Sequence, residues 1–302
     1  MLKVPRQALV GMTADAVVIA GPTASGKSAL ALEIARRRNG VIINADSMQV
    51  YSALWIVTAR PSAADLQLAD HRLYGHVPAL EAWSVARWLA EARSQFEILR
   101  SQGRLAIFVG GTGLYITALL EGLSAMPEPD PAVRAHWRKI AVDTPDALHG
   151  ELVLRDPAAA GKLHPGDRQR LVRALEIFDT TGLPISHFQM AGNRSPVLAK
   201  GRIEKHLLLP DRALLHQRIN QRFEAMVAAG ALEEVAKLAK LHLPPDLPVM
   251  KAIGVAQLLA CQQGLTTQEQ AIALGQAATR QYAKRQSTWF RNQFGAGWQV
   301  RA

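Results

Sequence analysis

Residues 21–28 read Gly-Pro-Thr-Ala-Ser-Gly-Lys-Ser and fit the pattern G-x4-G-K-[S/T] of a phosphate-binding loop, or P-loop. The apolar run AVVIA at 16–20 precedes this stretch, and an amphipathic segment beginning ALALEIARRR follows it. A strand, a glycine-rich turn and a helix are therefore predicted in that order, which is the context that a P-loop requires. A plain turn between a strand and a helix is the alternative, and this context disfavours it.

The predicted P-loop can bind phosphate through several groups at once. Its glycines let the backbone approach phosphate oxygens closely, and its amide N–H groups and helix N-terminus supply positive potential. Lys27 adds a mobile positive charge, and the Ser28 hydroxyl can serve as a ligand of Mg²⁺. The predicted diphosphate-binding residues are Gly21, Pro22, Thr23, Ala24, Ser25, Gly26, Lys27 and Ser28.

The acidic residue that usually accompanies a P-loop has no clear counterpart here. In P-loop NTPases an aspartate at the end of another apolar strand helps to hold Mg²⁺. The run RLAIFV at 104–109 is followed by Gly-Gly-Thr-Gly instead, and Asp46, after the run VIIN at 41–44, is the nearest alternative. The residues alone therefore predict a diphosphate-bearing ligand with Mg²⁺, and they leave phosphoryl transfer and diphosphate departure both open.

Strands that alternate with helices predict an α/β fold with a parallel sheet and helices on both faces. The predicted strands lie at 16–20, 41–44, 104–109 and 203–210. The longer predicted helices lie at 83–100, 211–229, 231–240, 252–263 and 266–291. Between the third and fourth strands the chain reads as several short helices with no convincing strand. We therefore predict an all-helical insertion at 126–199, within a core of residues 1–125 and 200–302.

The composition excludes several classes of protein. Among 302 residues, 49% are hydrophobic and 20% are charged, which argues against a disordered chain. One cysteine, Cys261, cannot form an internal disulfide or a multi-cysteine zinc site, and the nine histidines lack metal-binding spacing. No apolar run approaches the ~20 residues that cross a bilayer, so we expect a cytoplasmic protein that makes no membrane contact. The formal net charge of +10 points either to a nucleic-acid partner or to a basic surface that maintains solubility.

Asp46 is a candidate general base. It follows a predicted parallel strand, and the carboxyl ends of such strands share the edge where the P-loop lies. Read alone, an aspartate at this position is more often a cap of a helix or turn.

Six motifs together make a more specific pattern. They are GPTASGKS at 21–28, ADSMQVY at 45–51, TARPS at 58–62, VGGTGLY at 109–115, RALEI at 173–177 and RQYAKRQSTWFR at 280–291. In this order, over nearly the whole chain, they resemble the tRNA dimethylallyltransferase (tRNA isopentenyltransferase) family, in its bacterial form without a zinc finger. The resemblance implies a P-loop NTPase-like core with a helical insertion, residues 126–199, that contacts tRNA. It also implies transfer of a dimethylallyl group from dimethylallyl diphosphate to N6 of the adenosine just 3′ of the anticodon, in tRNAs that read codons beginning with U.

The resemblance also implies roles for individual residues. Asp46 matches the general base, and Thr23 matches the threonine near the bond that breaks. Arg212 and Arg218 match arginines that hold the leaving diphosphate. The residues implied to bind tRNA are Ser47, Met48, Gln49, Arg170, Arg173, Arg280, Lys284 and Arg285. The expected partners are the anticodon stem-loop of tRNA, dimethylallyl diphosphate and Mg²⁺, and the expected state is a monomer.

Two other functions use the same features. A small-molecule or nucleotide kinase could be built on this P-loop, and a non-catalytic RNA-binding protein could carry the same basic surface. One departure from the family pattern is the segment Ser-Ala-Leu-Trp-Ile-Val at 52–57, which is less polar than is usual and is expected to alter the rim of the substrate site.

Overall fold

The structure is a computed structural model that describes residues 14–190, 194–198 and 202–302. Its core contains one sheet of six parallel strands in the order β3-β2-β4-β1-β5-β6. The strands are β1 Ala16–Ala20, β2 Gly40–Asn44, β3 Asp70–Arg72, β4 Leu105–Gly110, β5 Ile203–Leu208 and β6 Gln299–Arg301. The four strands predicted from the sequence are confirmed, and two short edge strands add to them.

Helices make up much of the remaining described chain. They are α1 Lys27–Arg38, α2 Ala63–Leu68, α3 Val85–Ser101, α4 Gly113–Glu121, α5 Pro131–Asp143, α6 Ala147–Arg155, α7 Pro157–Ala160, α8 Arg168–Thr181, α9 Ile185–Met190, α10 Arg212–Ala228, α11 Ala231–Ala239, α12 Val255–Gln262 and α13 Gln268–Gln293, with a 3₁₀ helix at Pro248–Lys251. Ser84 caps the N-terminus of α3, because its side chain accepts a hydrogen bond from the Arg87 N–H.

The central strands are buried on both faces, as a parallel sheet covered by helices requires. All residues of β1, β2 and β4 are buried. Val17 and Ile19 belong to a core cluster that includes Ala31 and Ala35 of α1. The fold class predicted from the sequence, an α/β core with helices on both faces, is confirmed.

The chain divides into two compact units. The first contains Met1–Glu121 and Pro196–Ala302, and the second contains Gly122–Ser195. Among its described residues the second unit contains helices α5 to α9 and no strand, and its helices pack around Trp137, Leu148 and Leu171. The boundary predicted at 199–200 lies outside the described residues.

No helix in the described part of the chain combines the length and apolar character needed to cross a membrane.

Candidate active site

The P-loop joins the buried strand β1 to the first turn of α1. Gly26 is the residue before the helix, and its φ of 94° lies in the left-handed region that favours glycine. The α1 amide groups therefore begin at Lys27, where a helix N-terminus attracts anions. The Lys27 ammonium is half-buried and donates a hydrogen bond to the Pro22 carbonyl at 3.2 Å. The strand, turn and helix occur in the order predicted from the sequence, and phosphate binding by these residues stays a prediction.

Asp46 is held at the end of β2 by a buried asparagine. The Asn44 side chain accepts from the Asp46 N–H at 2.9 Å and donates to the Asp46 carbonyl at 2.9 Å. One Asp46 carboxylate oxygen accepts from the Met48 N–H at 3.0 Å, so this side chain also caps its own turn. The other oxygen has no hydrogen-bond partner among the described residues. The turn-cap and general-base interpretations are therefore compatible.

The glycines after β4 let the Asp46 segment approach closely. A Cβ atom at Gly110 would lie 2.0 Å from the Ala45 carbonyl oxygen, which leaves no space for any side chain. Beyond this contact, the Ser47 N–H donates to the Thr112 hydroxyl oxygen at 3.0 Å. The loop that follows β4 therefore supports the Asp46 segment through its backbone and through Thr112.

Two cations accompany the Asp46 carboxylate. Burial lowers the pKa of Lys27 to about 8, the negative charge of Asp46 opposes that change, and the positive charge of Arg222 adds to it. Burial also lowers the pKa of Arg222, and Asp46 again opposes the change. Lys27, Arg222 and Asp46 therefore interact electrostatically at the P-loop, with an excess of positive charge.

Arg222 was not predicted as a site residue. Its guanidinium donates a hydrogen bond to the Thr23 hydroxyl oxygen within the P-loop. On the same helix α10, Leu215 and Ile219 pack against Ala24. Positions 215, 219 and 222 share one helical face, so the apolar spacing indicates that Arg222 lies on the packed face of α10, but it does not indicate the contact with the P-loop.

Arg212 and Arg218, the two arginines predicted from the sequence, are exposed side chains on α10. Neither makes a hydrogen bond or ion pair with another residue that the structure describes. Their contact with a diphosphate stays a prediction.

Three tyrosines interact electrostatically with the Asp46 carboxylate. Burial raises the pKa of Tyr74, Tyr115 and Tyr282, and the negative charge of Asp46 raises each of them further. The Tyr115 ring stacks on the Trp88 ring with centroids 4.4 Å apart. The phenols therefore remain protonated near neutral pH. The sequence motifs contained two of them, but neither had an assigned role.

The loop after Asp46 is organised by its own side chains. Gln49, predicted to read the tRNA, uses its amide nitrogen to donate to the Thr58 and Ala59 carbonyls at 2.8 and 2.9 Å, which leaves its amide oxygen for another partner. Ser47, Met48 and Gln49 are all half-buried. Part of each of these three side chains is therefore accessible to a ligand.

The apolar segment 52–57 has a structural explanation. Leu54 is fully buried in a core cluster, against which Ile56 and Val57 pack. The N–H groups of Trp55, Ile56 and Val57 all donate to the carboxylate of Glu234 on α11, at 2.6 to 2.9 Å. The segment is thus anchored to the helices beside it by both burial and hydrogen bonds.

The predicted tRNA-binding residues on α13 differ in their surroundings. Lys284 and Arg285 are exposed and line an open groove of about 530 Å³ together with Trp289. Arg280 instead donates to the side-chain oxygen of Asn220 on α10 at 2.6 Å. Lys284 and Arg285 are therefore available to a ligand, whereas Arg280 also ties two helices together.

The two predicted arginines of the helical unit have partners within that unit. Arg170 lies 3.4 Å from Asp167, with an exposed side chain, and Arg173 lies 3.7 Å from Glu176. Both line a small cavity of about 140 Å³ that also includes Lys162. Three cations therefore share one concave surface on this unit.

Comparisons with known proteins agree on one family. A family model described as IPP transferase matches residues 49–293. A "tRNA dimethylallyltransferase" of Rhizobium meliloti is 53% identical over 287 residues, covering 94% of both chains, and one of Rhizobium johnstonii is 51% identical, covering 95% of this chain and 97% of the relative.

Solved structures give the same result. The full-length tRNA isopentenylpyrophosphate transferase of Bacillus halodurans has a TM-score of 0.67 at 33% identity, covering 95% of this chain and 89% of the other. A eukaryotic dimethylallyltransferase acting on tRNA has a TM-score of 0.77 at 31% identity, covering 91% of this chain and 69% of the other. The family model spans most of the P-loop core as well as the helical unit. The chain therefore belongs to the IPP transferase family, and its two Rhizobium relatives are named tRNA dimethylallyltransferases.

Proposed function

We propose that this enzyme transfers a dimethylallyl group from dimethylallyl diphosphate to N6 of the adenosine 3′-adjacent to the anticodon, in tRNAs that read codons beginning with U. The observation that carries the proposal is the meeting of a P-loop and a carboxylate, Asp46, within one charge cluster. A diphosphate and a nucleophile bearing a removable proton need these two elements on opposite sides of the reacting carbon.

The first half of the reaction is departure of the diphosphate. The C–O bond of dimethylallyl diphosphate breaks, and its electron pair remains on the diphosphate oxygen. Lys27, Arg222 and the P-loop amides stabilise the charge that develops there, and such electrostatic stabilisation usually contributes most to the rate enhancement. Thr23 is proposed to donate its hydroxyl proton as a hydrogen bond to the leaving group. Arg212 and Arg218 are proposed to hold the more exposed end of the diphosphate.

The second half is formation of the C–N bond. The adenine amine is a weak nucleophile because its lone pair is delocalised into the ring, so it attacks as the allylic carbon acquires positive charge. Its N6 proton becomes acidic as the bond forms and passes to the unpartnered oxygen of Asp46. The base must leave its stack to reach the carbon, at a cost of a few kcal/mol.

Mg²⁺ is proposed as the cofactor, and the donor atoms of the P-loop fit it. Ser28 lies in the first turn of α1 with an exposed side chain, and the Ser25 hydroxyl is buried with no hydrogen-bond partner among the described residues. No group of three or more His, Cys, Asp or Glu side chains that could hold a metal is found in the part of the chain that the structure describes. Mg²⁺ commonly takes few protein ligands and completes its shell with substrate phosphates and water. Bound at Ser28, it would neutralise part of the charge of the leaving diphosphate.

The tRNA is proposed to contact two sets of residues. Ser47, Met48 and Gln49 lie next to Asp46 and would contact the flipped adenosine and its neighbours. The basic residues proposed to contact the anticodon stem-loop backbone are Arg170, Arg173, Arg280, Lys284 and Arg285. Phosphate contacts of this kind fix the position of the RNA and make affinity depend on salt.

The rival function is phosphoryl transfer by a kinase. The aspartate that helps P-loop NTPases to hold Mg²⁺ is absent after β4, where Gly111, Thr112 and Gly113 follow the strand. The deciding experiment incubates the protein with Mg²⁺, total tRNA and either dimethylallyl diphosphate or ATP, followed by mass analysis of the tRNA nucleosides. We expect N6-dimethylallyl adenosine and released diphosphate in the first reaction alone. ATP consumption with a phosphorylated product and no prenylated nucleoside would refute the proposal.

A further inference from the structure

Gln286 is a polar side chain buried beside the site. It lies near the end of α13, and only 6% of its surface is exposed. Its side-chain oxygen accepts from the Thr23 N–H at 2.9 Å, and its side-chain nitrogen donates to the Gly111 carbonyl at 2.8 Å. One amide therefore joins the P-loop to the loop that follows β4, and it needs both an acceptor and a donor to do so.

The connection continues from Gln286 toward the carboxylate through the loop that follows β4. Gly111, whose carbonyl accepts from Gln286, is followed directly by Thr112. The Thr112 hydroxyl oxygen accepts from the Ser47 N–H at 3.0 Å, and Ser47 follows Asp46 directly. Hydrogen bonds and one peptide unit thus connect the P-loop to the segment that carries the carboxylate.

Thr23 is held from two directions. Its N–H group points to Gln286 and is therefore withdrawn from the set of P-loop amides that can bind a phosphate. Its hydroxyl oxygen accepts from Arg222, so the hydroxyl proton is free to point at another acceptor. Gln286 fixes the backbone of Thr23, and Arg222 fixes its side chain.

We infer that Gln286 is a positioning residue, which holds Thr23 and the Asp46 segment at a fixed separation. The inference rests on the proposed function, in which the leaving group lies on the Thr23 side and the base on the Asp46 side. Gln286 acts through Thr23, Gly111 and Thr112 and touches neither substrate. A misplacement of about 1 Å between reacting groups can reduce a rate by about 100-fold.

The first test replaces Gln286 with methionine, which has a similar length but cannot form these hydrogen bonds. We expect kcat to fall by about 100-fold, while KM for tRNA stays unchanged. The matched control is Q276M, because Gln276 also lies on α13 and hydrogen-bonds to α10, at the Asn220 carbonyl and the Glu224 carboxylate. Thermal unfolding of both variants separates a loss of positioning from a loss of stability.

The second test is Q286E, which also serves if Q286M does not fold. A protonated carboxylic acid has one donor and one acceptor, as the amide has, whereas the carboxylate lacks the donor for Gly111. The ratio of the Q286E rate to the wild-type rate is therefore expected to rise as the pH falls from about 8.5 to about 6. The wild type carries the same Asp46, Lys27, Arg222 and tyrosines, so the effect of their titration on the rate cancels in this ratio.

A third measurement does not depend on the transfer activity of the enzyme. Hydrogen exchange of the segments 21–28 and 45–51 should accelerate together in Q286M and remain slow in Q276M. Joint acceleration would support the inference even if the wild type transferred no dimethylallyl group, an outcome that would refute the proposed function alone. Wild-type kcat in Q286M, or an equal loss in Q276M, or acceleration confined to one segment would overturn it.

Discussion

Replacing Arg222 with methionine is expected to lower kcat by slowing the departure of the diphosphate. The guanidinium donates to the Thr23 hydroxyl oxygen and lies in the same charge cluster as Lys27 and Asp46. Methionine retains most of the apolar stem of the arginine side chain, but it lacks the positive charge and all five N–H donors of the guanidinium. The change therefore removes positive charge from the leaving-group side and leaves the carboxylate in place.

The magnitude follows from the surroundings of Arg222. Burial lowers its pKa, which means that its charge has been partly removed from water. Charge interactions are stronger in such a site than at an open surface. Removing one preorganised donor from a developing negative charge costs about 2.7–4 kcal/mol, or about 10²–10³ in kcat. We expect a loss in that range for R222M and a smaller loss for R222K, which restores the charge without the planar guanidinium.

The same variant changes the titration of Lys27 in a direction that can be tested. The positive charge of Arg222 is one of the causes that lower the pKa of Lys27. In R222M, the alkaline decrease in kcat/KM that depends on Lys27 should therefore move to higher pH. The assay is steady-state transfer of labelled dimethylallyl groups to tRNA across a pH series, with Q221A on the exposed face of α10 as the control. Full activity in R222M, or an equal loss in Q221A, would refute the assignment.

Four other perturbations have defined outcomes. D46N is expected to reduce kcat by about 10²–10⁴ while tRNA affinity is largely retained, as measured by filter binding. Because burial lowers the pKa of Lys27 to about 8, its charge is lost as the pH rises through that value, so wild-type kcat/KM for dimethylallyl diphosphate should fall there and K27R should show no such fall. G113A is expected to destabilise the fold by about 1–3 kcal/mol, because its Cβ would lie 2.3 Å from the Trp289 ring. G150A, in an open helical position of α6, is expected to stabilise it by about 0.5–1 kcal/mol in the same denaturant titration.

Each of these predictions can fail in a distinct way. The asparagine in D46N still accepts from the Met48 N–H. A loss of tRNA binding in that variant would therefore indicate that Asp46 has a structural role and does not act as the proton acceptor. An alkaline decrease that persists in K27R would assign it to another group. Equal free energies of unfolding for G113A and the wild type would mean that the ring of Trp289 can move away without cost.

The sequence predicted the strands of the sheet where their residues are uniformly apolar. Runs such as AVVIA at 16–20 are buried on both faces and needed no alternation to be recognised. Strands β3 and β6 were missed because each has three residues, at an edge of the sheet, and includes exposed polar side chains. Helix α4 was missed as well, since its apolar residues follow directly after a glycine-rich strand end without a polar face to show a helical period.

Within the site, local motifs were predictable and long-range contacts were not. The P-loop and the turn at Asp46 are each built by neighbouring residues, so their spacing alone indicates their chemistry. Arg222 reaches Thr23 across 199 residues of sequence, and Gln286 reaches it across 263. Contacts of this range depend on how helices pack on the sheet, which one chain's spacing does not determine.

The strand order explains why the scattered motifs meet. Strands β2, β4, β1 and β5 are consecutive neighbours in the sheet, although they are separated in the sequence. Asp46 follows β2, the glycine loop with Thr112 follows β4, the P-loop follows β1, and the helix with Arg222 follows β5. Because parallel strands end at the same edge, the ends of β2, β4 and β1 place the first three groups in one row, and α10 brings Arg222 to the P-loop from along the helix. The order of the strands was thus the missing step between the sequence motifs and the site. A helix, α13, then connects two of these loops from one side through Gln286, a contact that the strand order alone would not reveal.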